Sequence, residues 1–138
     1  MIKIGIDPDS DSHGIAVYTD GVLTELKSLK LFELRDYLEG LSVDSIAIED
    51  VMLNQFIYAR NTHANKTVQS KIAMFVGRCQ QSYVELTRML DYYDYKYKAI
   101  PPSKSNWAKD KALFERVTGW EGRSNEDTRS AAYFGQFA

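Results

Sequence analysis

The chain has 138 residues, 44% hydrophobic and 26% charged, with a formal net charge of −2. That is the size of one domain, read here as residues 1–138, with enough apolar residues for a core and no run of about 18 of them to cross a membrane. The lone Cys79 excludes an internal disulfide and a multi-cysteine zinc site. An acid as early as Asp7 speaks against a secretory leader, so a cytoplasmic setting is expected.

Ile2, Ile4 and Ile6 alternate and predict a strand over residues 1–7. Gly14 to Tyr18 predicts a second strand, Asp20-Gly21 a hairpin turn, and Val22 to Leu29 a third strand. Leu31, Leu34 and Leu38 share one face of a short helix closed by Gly40. Ser45 to Ile48 suits a buried central strand and ends abruptly in Glu49-Asp50. Residues 53–66 show no clear period and predict a loop or a loosely helical segment. Val68, Ile72, Phe75, Cys79, Tyr83, Leu86, Leu90 and Tyr93 then recur at helical spacing and predict one continuous apolar face. Tyr95 to Ile100 predicts a further strand, stopped by Pro101-Pro102. Lys109 to Val117 predicts a short helix ending at Gly119, and a last helix begins near Ser124. An antiparallel meander followed by βαβ units implies an α/β fold: a mixed five-stranded sheet with helices on its faces.

The net charge hides an asymmetry. Residues 1–50 carry four basic and eleven acidic groups, a balance of −7, whereas the rest carries +5. An acidic half suited to metal and a basic half suited to phosphate is a nuclease-like pattern, although solvated charges can be uneven by chance.

Three acids stand at telling places: Asp7 after the first strand, Glu49 after the buried strand, and Asp127 in the first turn of the last helix. A carboxylate at the end of a buried strand is costly unless it is solvated, paired or metal-bound. Ligands gather at the carboxyl ends of strands in open α/β sheets, where Asp7 and Glu49 would meet as parallel neighbours. Such an all-oxygen set suits Mg²⁺ or Mn²⁺, and two ions can serve phosphodiester hydrolysis. Each acid also has an ordinary reading. Asp7-Pro8 can start a turn, Glu49 can end its strand at the surface, and Ser124-Asn125-Glu126-Asp127 fits a capping box with Ser124 as N-cap. His13 and His63 lack ligand spacing and read as surface residues. Phe56, Tyr58, Arg60 and Lys66, and again Lys104, Trp107, Lys109 and Lys111, interleave aromatics with base. That pattern serves nucleic-acid contact or a loop anchor. Lys71 and Arg78 lie off the apolar helix face and read as solvated.

Four segments together resemble the RuvC-type Holliday-junction resolvases, particularly their short phage forms. Ile4 to Val17 resembles the family's opening strand-turn-strand, and Ala47-Ile48-Glu49-Asp50-Val51 its second acidic motif. Pro101-Pro102 through Trp107 and Lys109 resembles its Pro…Trp-Lys stretch, and Asp127-Thr128-Arg129-Ser130-Ala131-Ala132-Tyr133 its C-terminal acidic motif. The long helix carries Gly77-Arg78 where the family often has a glycine. The resemblance implies an RNase H-like fold and a homodimer acting on branched DNA in a bacterial or phage-infected cell, in recombination and repair. It implies divalent metal, read here as two ions, and catalytic roles for Asp7, Glu49 and Asp127. Where the family has a further C-terminal acid, either Glu126 and Asp127 share the metal-binding work or the second metal is held weakly. Phe56, Tyr58, Arg60, Lys66, Lys104, Lys109 and Lys111 are then the candidate DNA contacts.

Three positions depart from the family pattern. Ser130 or Ala131 stands where a second C-terminal acid is usual. Asp9 replaces a common glycine, so Asp9 or Asp11 is available to the cluster. Met52 stands where an aromatic wedge is usual, leaving that part to Phe56 or Tyr58. Two alternatives stay open on sequence alone: another RNase H-like nuclease acting on DNA or RNA, and a non-catalytic nucleic-acid-binding module. A sugar-kinase-like ATPase opens with a similar strand-turn-strand, but its two-domain cleft needs a longer chain.

Overall fold

The alternation of Ile2, Ile4 and Ile6 resolves, in a computed structural model, into a strand at the middle of a five-stranded sheet. The structure describes residues 1–53, 65–103 and 105–138; Phe56, Tyr58, Arg60, His63 and Lys104 lie outside the described residues. The strands are β1 (Ile2–Asp7), β2 (His13–Thr19), β3 (Val22–Leu29), β4 (Ser45–Glu49) and β5 (Tyr97–Ile100). The helices are α1 (Leu31–Glu39), α2 (Lys66–Tyr92), α3 (Lys111–Thr118) and α4 (Glu126–Gly135), with a 3-10 turn at Val51–Leu53. The sheet order is β3-β2-β1-β4-β5: β3, β2 and β1 form the antiparallel meander, and β1, β4 and β5 run parallel. This is the mixed sheet expected from the element order. Asp20 and Gly21 turn the β2–β3 hairpin with φ of 49° and 83°, the left-handed pair that a two-residue hairpin of matching twist requires.

Strand alternation divides the interior into two unlike layers. On one face Ile4, Ile6, Ile15, Val17, Ile46 and Ile48 pack against Leu34 and Leu38 of α1 and Leu86 and Leu90 of α2. On the other face the strands present small residues, Gly5, Gly14, Ala16 and Ala47, and α4 lies close upon them. A Cβ added at Gly5 would overlap the backbone of Ala131 and Gly135, and one added at Gly14 would overlap the Asp127 main chain. Ala131, Ala132 and Phe114 are buried in this second layer, with Trp107 and Trp120 packed around them. Trp107 meets Phe114 and Tyr133 edge-on, each at 5.7 Å between ring centroids, so it anchors its loop.

Several element boundaries depart from expectation for local reasons. β5 begins at Tyr97 because Tyr95 donates its N–H to the Leu90 carbonyl at 2.9 Å, closing the end of α2. α3 begins at Lys111 because the Asp110 carboxylate caps it, accepting from the Leu113 N–H at 3.0 Å. The continuous apolar face of the long helix is buried only in its C-terminal half. Ile72 is 40% exposed and Met74 and Phe75 are each 54% exposed. A helix of 27 residues is about 40 Å long, whereas a five- or six-residue strand spans about 20 Å, so the N-terminal half of α2 overhangs the sheet. No helix among the described residues is long and apolar enough to cross a membrane.

Two glycines separate the effects of space and propensity. Gly5→Ala is expected to destabilise the fold by about 1–3 kcal/mol in urea unfolding, because backbone must move. Gly77→Ala, in open space on exposed α2, should stabilise it by roughly 0.5–1 kcal/mol. Equal effects would refute the close seating of α4 on β1.

Candidate active site

Asp7 and Glu49 share one edge of the sheet because β1 and β4 run parallel in register, with Ile6 beside Ile48. They share one face as well. Asp7 follows Gly5 by two residues and Glu49 follows Ala47 by two, so both side chains emerge on the face covered by α4. The helix brings its own acid there: Asp127, Ser130 and Ala131 lie three and four residues apart on the side turned to the sheet. The sheet-facing stripe of α4 thus places Asp127 at its upper end, near the carboxyl ends of β1 and β4.

The capping box is not the one expected. Asn125 is the N-cap: its side chain accepts from the Thr128 N–H at 2.8 Å, and its own N–H donates to the Thr128 hydroxyl at 2.9 Å. Ser124 instead accepts from Arg129 at 2.9 Å, while two further Arg129 nitrogens donate to the Ala108 carbonyl at 2.9 and 2.7 Å. Asp127 has no capping task, and its carboxyl is left to the cluster.

The acids are in contact. Asp7 hydrogen-bonds to Glu49 and to Ser130 and feels the charge of Asp127. Asp127 hydrogen-bonds to Asp9 and feels the charge of Glu126. Removal from water, first, and then the neighbouring carboxylates push Asp7 up to about 9. Glu49 and Asp127 are raised too, chiefly by burial. Among the described residues no ion pair reaches Asp7, Asp9, Glu49 or Asp127.

The donor set is all oxygen, anionic and uncompensated, which matches a hard divalent cation such as Mg²⁺ or Mn²⁺. The side chains stand in two carboxyl pairs, Asp7 with Glu49 and Asp9 with Asp127. Among the described residues no three acid, His or Cys groups are gathered at ligand spacing around one point. An ion shared among these acids would separate the pairs.

The remaining expected residues fall elsewhere. Glu126 is exposed in the first turn of α4. Lys66 opens α2, exposed, and Lys109 is exposed in the loop before α3. Lys111 is paired with Glu115 at 3.7 Å. His13, expected at the surface, is 3% exposed. Its parity with Ile15 and Val17 carried that information, since all three point to the α1–α2 face. Burial lowers its pKa to about 4 against the opposing pull of Asp9, so the ring is neutral, and its Nδ1 accepts from the Asp9 N–H at 3.3 Å. Ser130 is a site residue that motif reading passed over as a missing acid; its spacing of three from Asp127 was the available signal.

The raised carboxyls set the pH dependence of the metal-free fold. The unfolded acids lose their protons near pH 4, whereas the folded cluster holds on to protons until higher pH. Stability should therefore fall as pH rises from about 4 toward 9. In EDTA at pH 8.5, Asp7→Asn should be more stable than wild type by about 1–2 kcal/mol, after discounting for the partial exposure of the site. At pH 4 the two should unfold at nearly the same urea concentration. A pH-independent difference would remove the repulsion from the account.

No family model matches the chain, and no curated protein does. Solved structures do. Thermus thermophilus RuvC in complex with a Holliday junction substrate is similar over 98% of this chain and 90% of its own, with a TM-score of 0.63 and 15% identity. A second structure of T. thermophilus RuvC is similar over 98% and 91%, with a TM-score of 0.59 and 15% identity. The chain, with its mixed five-stranded sheet flanked by helices, has the RNase H-like fold seen in RuvC.

Proposed function

We propose that the chain is a divalent-metal-dependent endonuclease that cuts four-way DNA junctions by paired phosphodiester hydrolysis. The observation that carries this reading is the Asp7–Glu49 carboxyl pair at the carboxyl ends of two parallel strands, with Asp127 near enough for its charge to act on Asp7, in a fold shared with a protein solved on a Holliday junction.

Asp7, Glu49 and Asp127 would hold the metal: Asp7 touches Glu49 and lies within the field of Asp127. Bound Mg²⁺ or Mn²⁺ supplies Lewis acidity toward the scissile phosphate. Ser130 fixes the Asp7 carboxylate from the helix side by hydrogen bonding to it, which lowers the cost of its charge. The close seating of α4 on Gly5 and Gly14 keeps Asp127 within reach and limits water on that side. Lys66, Lys104, Lys109 and Lys111, with Arg60, are assigned to phosphates, and Phe56 and Tyr58 to stacking at the branch. A homodimer formed over the overhanging face of α2 would bury Ile72 and Phe75 and present two sites to opposing strands.

Asp7→Asn should lower junction cleavage by at least about a thousandfold while the variant binds the junction within a few-fold of wild type, measured by gel mobility and by nicking in Mg²⁺. Cleavage at the wild-type rate would refute the site. Activity of the wild type on flaps or RNA–DNA hybrids equal to that on junctions would keep the nuclease and remove the junction preference. Tight junction binding without cutting in Mg²⁺ or Mn²⁺ would make the chain a binding module. For the dimer, Ile72→Glu with Phe75→Glu should halve the mass seen by light scattering. An unchanged dimer would place the interface elsewhere.

A further inference from the structure

The side of α4 turned away from the sheet holds a buried charge. Arg129 follows Asp127 by two residues, so it leaves the helix on a different side from the acid. It is only 7% exposed. Among the described residues no carboxylate pairs with it. A buried guanidinium without an anion is costly, and an apolar residue of similar volume would fill the same space without that cost. Stability of the core alone is therefore a poor reason for an arginine here.

What the guanidinium does is hold a turn. Its Nε and one Nη both donate to the Ala108 carbonyl, at 2.9 and 2.7 Å, a planar fork that a lysine cannot make. The other Nη donates to the Ser124 hydroxyl at 2.9 Å. Ala108 sits at the centre of a turn that the Asp110 N–H closes by donating to the Asn106 carbonyl at 2.8 Å. Trp107 wedges one flank of the turn against Phe114 and Tyr133. The residue after Ala108 is Lys109, which is exposed. Among the described residues no ion pair engages its ammonium, whereas that of Lys111 is taken by Glu115. The main chain that carries Lys109 is thus fixed on both sides, and its charge points to water.

We infer that Arg129 is the positioning residue of a phosphate contact: it clamps the turn of residues 106–110 to α4, so that Lys109 meets the DNA backbone at a fixed offset from Asp127 on the same helix. The inference rests on the reading of the chain as a DNA-cutting enzyme and adds the outer side of α4 to it. The helix is then a spine with two working sides. Asp127 and Ser130 face the sheet, where Ser130 hydrogen-bonds Asp7, and Arg129 faces outward and holds the turn with the cation. A lysine on a fixed main chain has only its own side chain to order when it binds, which lowers the entropic cost of the contact.

The test is binding of the full chain, in EDTA, to a synthetic four-way junction and to a linear duplex, followed by fluorescence anisotropy over a range of salt. Urea midpoints show which variants are folded under the assay. Lys109→Ala should lower the slope of log affinity against log salt by about one, the mark of one lost phosphate contact. Arg129→Lys keeps the charge and loses the fork; it should lower the slope by as much, and the double variant should lose no more than either single. In Mg²⁺, Arg129→Lys should raise KM several-fold while kcat changes by less than about twofold. Additive losses in the double variant, or a fall in kcat with KM unchanged, would make Arg129 a residue of the fold alone and overturn the inference. Lys109 is exposed, so Lys109→Ala can be read whatever the fate of the Arg129 variant, and an unchanged slope there overturns the inference by itself. A wild-type chain that binds neither DNA would overturn the nuclease reading and the inference with it.

Discussion

Mutual repulsion of carboxylates at the ends of β1 and β4 is the constraint on which the rest of the molecule turns. Asp7, Glu49 and Asp127 stand where burial disfavours their charge, and burial first, then the neighbouring carboxylates, raise the pKa of each. A chain selected for stability alone would place amides or apolar groups there. Holding such a cluster requires a stiff frame, and the frame is the close packing of α4 on Gly5, Gly14 and Ala47. Small residues on that face and branched ones on the other are therefore two parts of one arrangement. The Ile-rich layer supplies the burial that holds the sheet, and the glycine-lined layer lets a helix approach closely enough to deliver an acid.

The two helix layers have separate tasks. α4 completes the acidic cluster from one face. α2 reaches the same end of the sheet from the other, where Ser82 and Cys79 grip the Asp9 turn. The buried, neutral His13 joins the grip from β2, and its lowered pKa keeps its Nδ1 an acceptor through the neutral range. The N-terminal half of α2 extends beyond the sheet with Ile72, Met74 and Phe75 exposed, which sets apolar surface on the helix that secures the site. Cluster, turn and overhang are thus linked through a single helix.

Much of this was legible in the residues. Period-two alternation located the strands, and Asp20-Gly21 fixed the hairpin. The same alternation put Asp7 on the face of Gly5, and Glu49 on that of Ala47. What escaped depended on contacts between elements. The spacing of Ser124 and Asp127 satisfied a capping rule, yet Asn125 and Thr128 form the box, and only the helix register distinguishes them. The apolar stripe of α2 was real, but its burial depended on how far the sheet extends beneath it, which no local pattern records. His13 lacks ligand spacing, which suits a surface residue, but its strand parity with Ile15 and Val17 puts it on the buried face. Asp9 was visible as a departure from the RuvC-type pattern, while its contact with Asp127 exists only after β1 and α4 have met. The candidate DNA contacts at Phe56, Tyr58, Arg60 and Lys104 lie outside the described residues, so their standing is still that of the sequence pattern.

Uptake of a divalent ion at this edge of the sheet would separate the carboxyl pairs. The most direct measurement is anomalous diffraction from crystals of the chain grown in Mn²⁺, collected near the manganese edge. Strong anomalous density is expected among Asp7, Glu49 and Asp127, with the Asp7–Glu49 and Asp9–Asp127 contacts broken. Carboxyl pairs still closed, with manganese absent from that edge of the sheet, would contradict it.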